Sequence, residues 1–536
     1  MASDRPVREA ENRLERFNAD RERLLAEVER RVVARRISEA KAGGDHSLEY
    51  VLNDVAFNEI RRLDVAKNGA ADRWKELSRR LLGMSDEEKA AELRSLVRYY
   101  GQDVVGNFDP RVYRFASGIG PSLLGFVFNP ITSLTEGMHT LRNLDARLSA
   151  DGEVDLVRAC AERGTIVVTP THSSNMDSPA IGLGLVRAHL PPVTYGAGKN
   201  LFSNPFISFF MHNLGAYRVD RRIQHGLYKQ VLKVYSQVLL ERGYHSLFFP
   251  GGTRSRSGAV EKKPKLGLLS TAIAAYQAHL LRGETHRRLF VVPATINYAV
   301  VLEAETLIDD FLAEEGKARY IIEDDEFSRL GRVLDFSRRI LAMEGALVIR
   351  YGAPLDVFGN PVDEEGRSRD PRGRVVDPAS YFTGPDGPIT RDGQRDAEYV
   401  RGLGDELVRA YRRLTVFLPT HLVARSIYDR LARRHGTRDV YRLLRFPELS
   451  VPADQVREDI VRFRAALSER PEGGQLADRY QAWRPAEILD EAIRMLRGYH
   501  TRPVLERVDE QLMVGDLRLV YYYQNRTAHL DPAVLA

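Results

Sequence analysis

The sequence predicts an α/β fold: a three-layer domain around a mixed sheet, with a helical region before it and a mainly helical region after it. Two observations predict this arrangement. Between residues 110 and 355, short apolar runs rich in β-branched residues alternate with helix-like stretches, as in sheets covered by helices on both faces. The first hundred residues instead repeat Glu, Arg, Ala and Leu at helical spacing and contain no strand signal.

Five strands are predicted in the central region, each a short apolar run bounded by Gly, Pro or charged residues. They are expected at 165–168, around 193–195, and at 246–250, 289–298 and 346–352. A helix is predicted over 180–190, because Ser178 offers an N-cap and Pro179 suits the first turn.

The chain divides into four predicted regions. Residues 1–109 form an N-terminal helical accessory region, and residues 110–355 form the α/β domain. Residues 356–398 are rich in Gly, Pro, Asp and Arg without periodicity, which is typical of a polar insertion or linker. Residues 399–536 are mainly helical, and we expect this region to end in a strand at 517–523.

The composition bounds the class of protein. Of 536 residues, 43% are hydrophobic and 29% are charged, which is ordinary for a globular chain. The excess of 79 Lys and Arg over 74 Asp and Glu, with a pI near 9.0, favours anionic partners such as phosphates, membrane surfaces or nucleic acid. The single cysteine, Cys160, excludes an internal disulfide and a Cys-rich metal site, and suits a reducing cytoplasm.

Two apolar segments bear on membrane contact. The window 115–134 is long enough to span a bilayer but contains several Gly and Pro residues, so a buried or interfacial segment is expected. The Phe-rich segment 201–214 is too short to span. Both fit peripheral membrane contact, and both fit plain core packing. The charged start, 1–31, lacks the apolar stretch of a secretory signal, so we expect the protein to stay inside the cell.

The most informative motif is an H-x4-D pair, His172 and Asp177, directly after the strand predicted at 165–168. A neighbouring carboxylate fixes the tautomer of an imidazole and stabilises its protonated form, which is how histidine becomes a general base for an alcohol. The two side chains can meet only if residues 173–176 form a turn. Since 13 histidines produce roughly one such match by chance, a structural hydrogen-bonded pair is the alternative.

Three further blocks follow at predicted strand ends. With the H-x4-D motif as the first block, the second contains Lys199 in GAGKNLFSNP and Arg221 in LGAYRVDRR. The third block is FFPGGTRSRSG, and the fourth is VVPATINY. Glycines allow a backbone to turn tightly and approach a ligand, while hydroxyl and guanidinium groups donate to phosphates. An arginine cluster alone is more often a solvated surface, so the glycines beside it strengthen the prediction of a binding loop.

The order of these blocks carries a resemblance. HSSNMDSP, GAYRVDR, FPGGTRSRSG and VVPATINY, between 172 and 298, resemble the four blocks of the glycerolipid acyltransferase superfamily, which transfers fatty acyl groups from a thioester to a phosphorylated glycerol backbone. The continuations KKPKLGLLS and INYAVVLEAETLI, and the later segments TVFLPTHLVA and YYYQNRTAHL, are similar to the glycerol-3-phosphate and dihydroxyacetone-phosphate acyltransferases. The resemblance covers about 110–530 and implies that residues 110–355 are the catalytic domain.

The resemblance implies a glycerol-3-phosphate 1-O-acyltransferase of phospholipid biosynthesis, with acyl-CoA or acyl carrier protein as the donor. Lysophosphatidate or dihydroxyacetone phosphate is the alternative acceptor, and a non-catalytic phospholipid-binding membrane protein is the alternative of another class. We expect a cytoplasmic protein held peripherally at the anionic inner face of the cell membrane. No nucleic-acid partner is expected, because no binding module is recognisable. No cofactor or metal is expected, because the transfer needs neither.

The resemblance also implies roles for individual residues. His172 would be the base and Asp177 its orienting partner, while the fourth block would shape the acyl-donor pocket through Pro293. The residues expected to bind the acceptor phosphate are Lys199, Arg221, Arg254, Ser255 and Arg256, and those expected in the oxyanion loop are Gly251, Gly252 and Thr253. The chain departs from the family twice: Gly251 stands where Glu is usual, and Asp220 stands where the larger enzymes often have a basic residue.

Overall fold

The computed structural model describes residues 14–41, 47–64, 71–118, 148–202, 205–315, 347–383 and 387–531. The apolar segment predicted at 115–134 extends past residue 118, so most of it lies outside the described residues. In the described ranges, no helix is both long and apolar enough to cross a membrane.

The N-terminal region is helical, as predicted. Its helices are α1 (Phe17–Ala40), α2 (Leu48–Asp64), α3 (Asp72–Arg80), α4 (Asp86–Val104) and α5 (Pro110–Gly118). A capping box begins α4: Ser85 Oγ accepts from the Glu88 amide at 3.2 Å, and the Glu88 carboxylate accepts from the Ser85 amide at 2.7 Å. The apolar sides of α1 and α4 share one core with residues 217–244 of the central domain.

A seven-stranded mixed sheet forms the centre of the fold. Its strands in chain order are β1 (Leu148–Gly152), β2 (Gly164–Pro170), β3 (Thr194–Gly198), β4 (Ala216–Val219), β5 (Ser246–Leu247), β6 (Arg288–Tyr298) and β7 (Leu347–Tyr351). The spatial order is β1-β7-β6-β2-β5-β3-β4, and only the β6–β7 pairing is antiparallel. The carboxyl ends of β2 to β6 therefore meet at one edge, where ligands of α/β sheets usually bind.

Helices cover both faces of this sheet, which confirms the three-layer prediction. They are α6 (Val154–Arg163), α7 (Asp177–Arg187), α8 (Pro205–Asn213), α9 (Gly226–Glu241), α10 (Leu266–Leu281) and α11 (Ala304–Glu315). Alternate residues of β2 enter opposite layers, since strand side chains alternate in direction. Ile166 and Val168 pack in the core that contains Ile181 of α7, whereas Val167 packs with Leu269 of α10.

The rest of the chain is mainly helical with short strands. Its elements are β8 (Ser368–Arg369), β9 (Val375–Val376), α12 (Gly393–Leu414), β10 (Val416–Phe417), α13 (Pro419–Arg434), α14 (Val440–Leu443), β11 (Ser450–Pro452), α15 (Ala453–Glu469), β12 (Gln475–Leu476), α16 (Asp478–Gln481), α17 (Pro485–Tyr499), β13 (Leu505–Val508), β14 (Gln511–Val514) and α18 (Leu517–Gln524). The α13 and α18 helices pack together in the core that also holds Ile166 and Val168. The C-terminal region is thus joined to the sheet.

The structure corrects three local predictions. The strand predicted at 517–523 is wrong: α18 occupies this segment, and the Asp516 carboxylate caps it by accepting from the Arg518 amide at 2.9 Å. A short aromatic and β-branched run does not distinguish a strand from a buried helix. The helix predicted over 180–190 begins earlier, at Asp177, so Ser178 is not its cap. The edge strands β1 and β4 were not predicted: β1, LSADG, carries few apolar residues, and β4, AYRV, is only four residues long.

Candidate active site

His172 and Asp177 meet across a tight turn, as the motif requires. His172 follows β2, Asp177 opens α7, and His172 Nδ1 lies 2.7 Å from Asp177 Oδ2. The same oxygen accepts from the Ser173 and Ser174 amides at 2.6 and 2.9 Å. The Asp177 side chain is fully buried, while 11% of the His172 side chain is exposed. With Nδ1 held by the carboxylate, Nε2 is the nitrogen left to accept a proton.

The plane of the His172 ring is set by an aromatic neighbour that the sequence did not single out. Phe249, just after β5, stacks on His172 with ring centroids 4.4 Å apart and planes 25° apart. Its only signal in the sequence is its place at the end of the apolar run SLFFP. The ring is therefore restrained both at Nδ1 and on one face.

The third block lies against the 172–177 turn. The Ser255 amide donates to the His172 carbonyl at 2.8 Å, and the Ser255 hydroxyl donates to the Ala259 carbonyl at 2.8 Å. Arg256 pairs with Glu314 of α11, and the Gly252 amide donates to the Phe249 carbonyl at 3.0 Å. The loop that carries the candidate phosphate ligands is thus hydrogen-bonded to the backbone of the candidate base.

Glu303 joins these two parts, and sequence reasoning missed it. Its carboxylate is 1% exposed and accepts from Ser174 Oγ and from the Asn175 amide, both at 2.9 Å. Arg254 Nη1 lies 3.3 Å from Glu303 Oε1. Burial raises the pKa of Glu303, although Arg254 and the two donors favour its ionised form. A charged residue in the apolar extension NYAVVLEAE was the available signal.

The two glycines of the third block make room for side chains from further along the chain. A Cβ at Gly251 would collide with Glu261 Oε2, and a Cβ at Gly252, which has φ +70°, would lie 2.6 Å from Lys265 Cδ. The segment 261–265 therefore folds back over the loop. A carboxylate from ten residues downstream occupies the space of the side chain that Gly251 lacks.

The second block reaches the same sheet edge but contacts the N-terminal helices. Lys199, after β3, places its Nζ 2.8 and 2.9 Å from the Asp103 carboxylate of α4, and 3.9 Å from Asp220 Oδ2. Buried Asp220, after β4, pairs with Arg222, while the Arg221 side chain is exposed. Two acidic residues hold Lys199, so a phosphate would compete with them.

Pro293 lies inside the sheet, in β6 opposite Thr169, and its carbonyl accepts from the Gly352 amide at 2.8 Å. It does not line the main apolar cavity in the described part of the chain. That cavity, of about 160 Å³, runs along α7 from Ser178, next to Asp177. Its apolar walls include Ile181, Leu185, Tyr195, Phe210, Met211 and Leu214.

No group of three or more His, Cys, Asp or Glu side chains suited to a metal ion occurs among the residues described.

Comparison with known proteins finds a family match for the central domain. Residues 149–297 match the family model described as Acyltransferase, a range that runs from β1 through β6 and contains both members of the His172–Asp177 pair and the second and third blocks. Residues 149–297 are therefore similar to acyltransferases. The resemblance drawn from the four blocks is confirmed over residues 149–297, which run from β1 to β6 of the central sheet.

Two curated relatives are glycerol-3-phosphate acyltransferases. The Aeromonas hydrophila protein is 28% identical over 281 residues, which cover 50% of this chain and 32% of the relative. The Xanthomonas campestris protein is 24% identical over 337 residues, which cover 62% of this chain and 33% of the relative. The matches thus span about a third of each relative's length. The crystal structure of the 1-acyl-sn-glycerophosphate acyltransferase from Thermotoga maritima, 15% identical, covers 55% of this chain and 96% of its own, with a TM-score of 0.27 that supports no shared overall arrangement.

Proposed function

We propose that the protein is a glycerol-3-phosphate 1-O-acyltransferase of phospholipid biosynthesis. It transfers a fatty acyl group from acyl-CoA or acyl carrier protein to the sn-1 hydroxyl of glycerol 3-phosphate. The observation that carries the proposal is the His172–Asp177 pair at the carboxyl edge of the sheet, with the Ser255 amide bound to the His172 carbonyl. The names of the two curated relatives support the choice of acceptor.

In the proposed reaction, His172 Nε2 takes the proton of the acceptor hydroxyl as its oxygen attacks the thioester carbonyl. The C–S bond breaks, and the proton passes from His172 to the departing thiolate. Asp177 keeps Nδ1 protonated and stabilises the imidazolium that forms, since the two groups lie 2.7 Å apart. General-base assistance of this kind contributes about 10² to 10⁴ in rate. No cofactor or metal takes part in this scheme.

The acceptor's phosphate is assigned to the basic residues of the second and third blocks. Arg254 is partly exposed and pairs with Glu303, so a phosphate dianion would replace or share that pairing. Arg256, Arg221 and Lys199 supply further positive charge at the same edge, and Ser255 contributes its backbone to the loop. The Gly252 amide is already bonded, so the oxyanion donor would be another amide of the loop, such as that of Gly251 or Thr253.

The acyl chain is assigned to the cavity along α7, because its walls are apolar and it begins beside Asp177. Pro293 is proposed to shape the donor site through its position in β6.

Two aromatic side chains near this side of the domain, Phe115 and Phe209, are 45% and 52% exposed. Exposed aromatic side chains of this kind favour contact with a membrane surface. The protein is proposed to lie peripherally at the anionic inner face of the cell membrane, on the cytoplasmic side.

The test is a purified-protein assay that crosses acyl-CoA and acyl carrier protein donors with glycerol 3-phosphate, dihydroxyacetone phosphate and lysophosphatidate. The proposal predicts the highest kcat/KM for glycerol 3-phosphate and a product acylated at sn-1. A preference for lysophosphatidate or dihydroxyacetone phosphate would overturn the acceptor assignment. Binding to phospholipid vesicles without transfer to any acceptor would overturn catalysis itself.

A further inference from the structure

A small polar cavity lies beside the 172–177 turn and the end of the third block at Gly258. Its walls come from the turn, from the end of β6, from α13 and from the C-terminal segment. They include Ser173, Tyr298, His421, Tyr522, Tyr523 and Arg526. The space open to the centre of a water-sized probe is about 20 Å³, which is enough for one water molecule.

Unsatisfied polar atoms surround this cavity. The Tyr298 hydroxyl and Arg526 Nε, on two residues of its wall, are buried and have no partner at hydrogen-bond geometry within the described ranges. Asp177 Oδ1 is a third such atom. The Asp177 carboxylate lies close enough to Tyr298 to be, after burial, a cause of the raised pKa of that phenol. Buried polar groups usually bond to protein or to ordered water, so three in one place indicate a bound solvent molecule.

The positive charge of Arg526 also indicates a link to Asp177. Arg526 is 5% exposed, and its Nη2 donates to Asn297 Oδ1 at 2.6 Å and to the Ile296 carbonyl at 3.2 Å. No carboxylate of the described chain is within ion-pairing distance of its guanidinium. Burial lowers the pKa of Arg526 to about 10, and this shift is opposed by Tyr522 and, after it, by the Asp177 carboxylate. Asp177 is therefore a carboxylate whose negative charge favours the charged form of buried Arg526.

We propose that Tyr298 positions the Asp177 carboxylate directly, and that Arg526 holds Tyr298 through one bound water. Arg526 Nε–H donates to the water, the water donates to the Tyr298 oxygen, and the Tyr298 hydroxyl donates to Asp177 Oδ1. Asp177 Oδ2 then stays with His172 and the turn amides. The C-terminal segment thereby contributes a positioning residue, Arg526, to the catalytic site. The effect on catalysis rests on the proposed acyl transfer, whereas the bound water does not.

Three variants test these positioning residues. Tyr298→Phe removes one hydroxyl and little volume, and we expect kcat to fall about tenfold while both KM values stay within twofold. Arg526→Met should lower kcat further, and Arg526→Lys should recover part of the loss. Tyr351→Phe is the matched control, because it removes another buried hydroxyl without a partner in the described chain, one that lies outside the site. It should keep the wild-type kcat.

A crystal structure of the wild-type protein tests the water directly. We expect a water within hydrogen-bond distance of Arg526 Nε and the Tyr298 hydroxyl, and its loss or displacement in Tyr298→Phe. An empty cavity, or a wild-type kcat in Tyr298→Phe, would overturn the inference even if Arg526→Met does not fold. A wild-type protein without acyltransferase activity would contradict the proposed function instead, and the crystal structure would still decide whether the water is bound.

Discussion

The carboxylate of Glu261 lies where a side chain on Gly251 would begin, so the two positions exclude each other sterically. Glu261 holds this place with the amides of Lys262 and Lys263, which donate to its Oε1 at 3.1 and 3.0 Å. The resemblance implies a carboxylate at position 251. The same charge therefore reaches the third block from a different residue.

If Glu261 supplies the carboxylate of the third block, a carboxylate at position 251 should be able to replace it. Gly251→Ala and Glu261→Ala should each lower kcat/KM for the acceptor about tenfold, the loss of one charged hydrogen bond. The double variant Gly251→Glu, Glu261→Ala should recover most of that activity, because it returns a carboxylate to the loop without the collision. Steady-state kinetics of the four proteins measure the coupling. A double variant no better than the poorer single variant would show that Glu261 only fills space.

Glu303 should matter for both stability and catalysis. Replacing it with Ala leaves the Asn175 amide and Ser174 Oγ without their acceptor, so the free energy of unfolding should fall by about 1–3 kcal/mol. Glu303→Gln keeps an acceptor oxygen and should retain most of the stability while lowering kcat, because the charge beside Arg254 is lost. Denaturant unfolding and kinetics check the two effects. Equal stability of all three proteins would contradict the contacts described for Glu303.

Arg254 should act on acceptor binding. Arg254→Ala should raise the KM for glycerol 3-phosphate about tenfold or more and change the donor KM little, because a charged phosphate contact is lost in the ground state. Arg372, an exposed arginine of the polar insertion, supplies the control: Arg372→Ala should leave both KM values unchanged. An unchanged acceptor KM in Arg254→Ala would remove Arg254 from the phosphate site.

Substitutions of Lys199 and Asp103 distinguish phosphate binding by Lys199 from a purely structural ion pair with α4. Lys199→Ala should raise the acceptor KM about tenfold, whereas Asp103→Ala, which breaks the same 2.8 Å pair, should change it at most about twofold. Kinetics of both variants with glycerol 3-phosphate measure the difference. Identical effects of the two substitutions would mean that Lys199 only fastens α4 to the sheet.

Buried histidines should make the protein acid-labile. Burial lowers the pKa of His421 to about 3 and that of the half-buried His529 to about 4, below the ordinary value of 6.5. Below pH 6.5 the unfolded chain binds protons that the folded chain refuses, so stability present at neutral pH is lost as pH falls towards 4. Each such histidine contributes a slope of about 1.4 kcal/mol per pH unit. Urea midpoints between pH 7 and 4 check this, and His529→Gln should flatten the curve; an unchanged curve would contradict it.

How far the sequence predicted the site depends on how local each contact is. The His172–Asp177 pair is closed by a turn of four residues, so its meeting followed from the motif. Glu303, by contrast, lies between β6 and α11, directly before Ala304, and a pattern of apolar residues does not indicate which carboxylate will contact the turn. Glu261 was missed for a related reason: the collision with position 251 exists only in three dimensions.

The fold shows the same limit. The alternation of strands and helices predicted the layers, because buried parallel strands such as β2 read as continuous apolar runs. The edge strand β1, LSADG, buries only Leu148 and carries no such signal. In α18, the run YYY suits a strand by propensity, but the Asp516 cap and burial on α13 make it a helix. Tertiary packing decided those elements.

The assignment of His172 as the general base is tested most directly by the rate of acyl transfer to glycerol 3-phosphate. Purified His172→Ala is compared with the wild type and with His286→Ala, which removes an exposed histidine outside the site. A general base at His172 predicts a kcat at least about 10²-fold lower in His172→Ala. The same measurement should find a wild-type rate in His286→Ala and an unchanged unfolding midpoint in both variants. Wild-type transfer by a correctly folded His172→Ala protein would contradict the account.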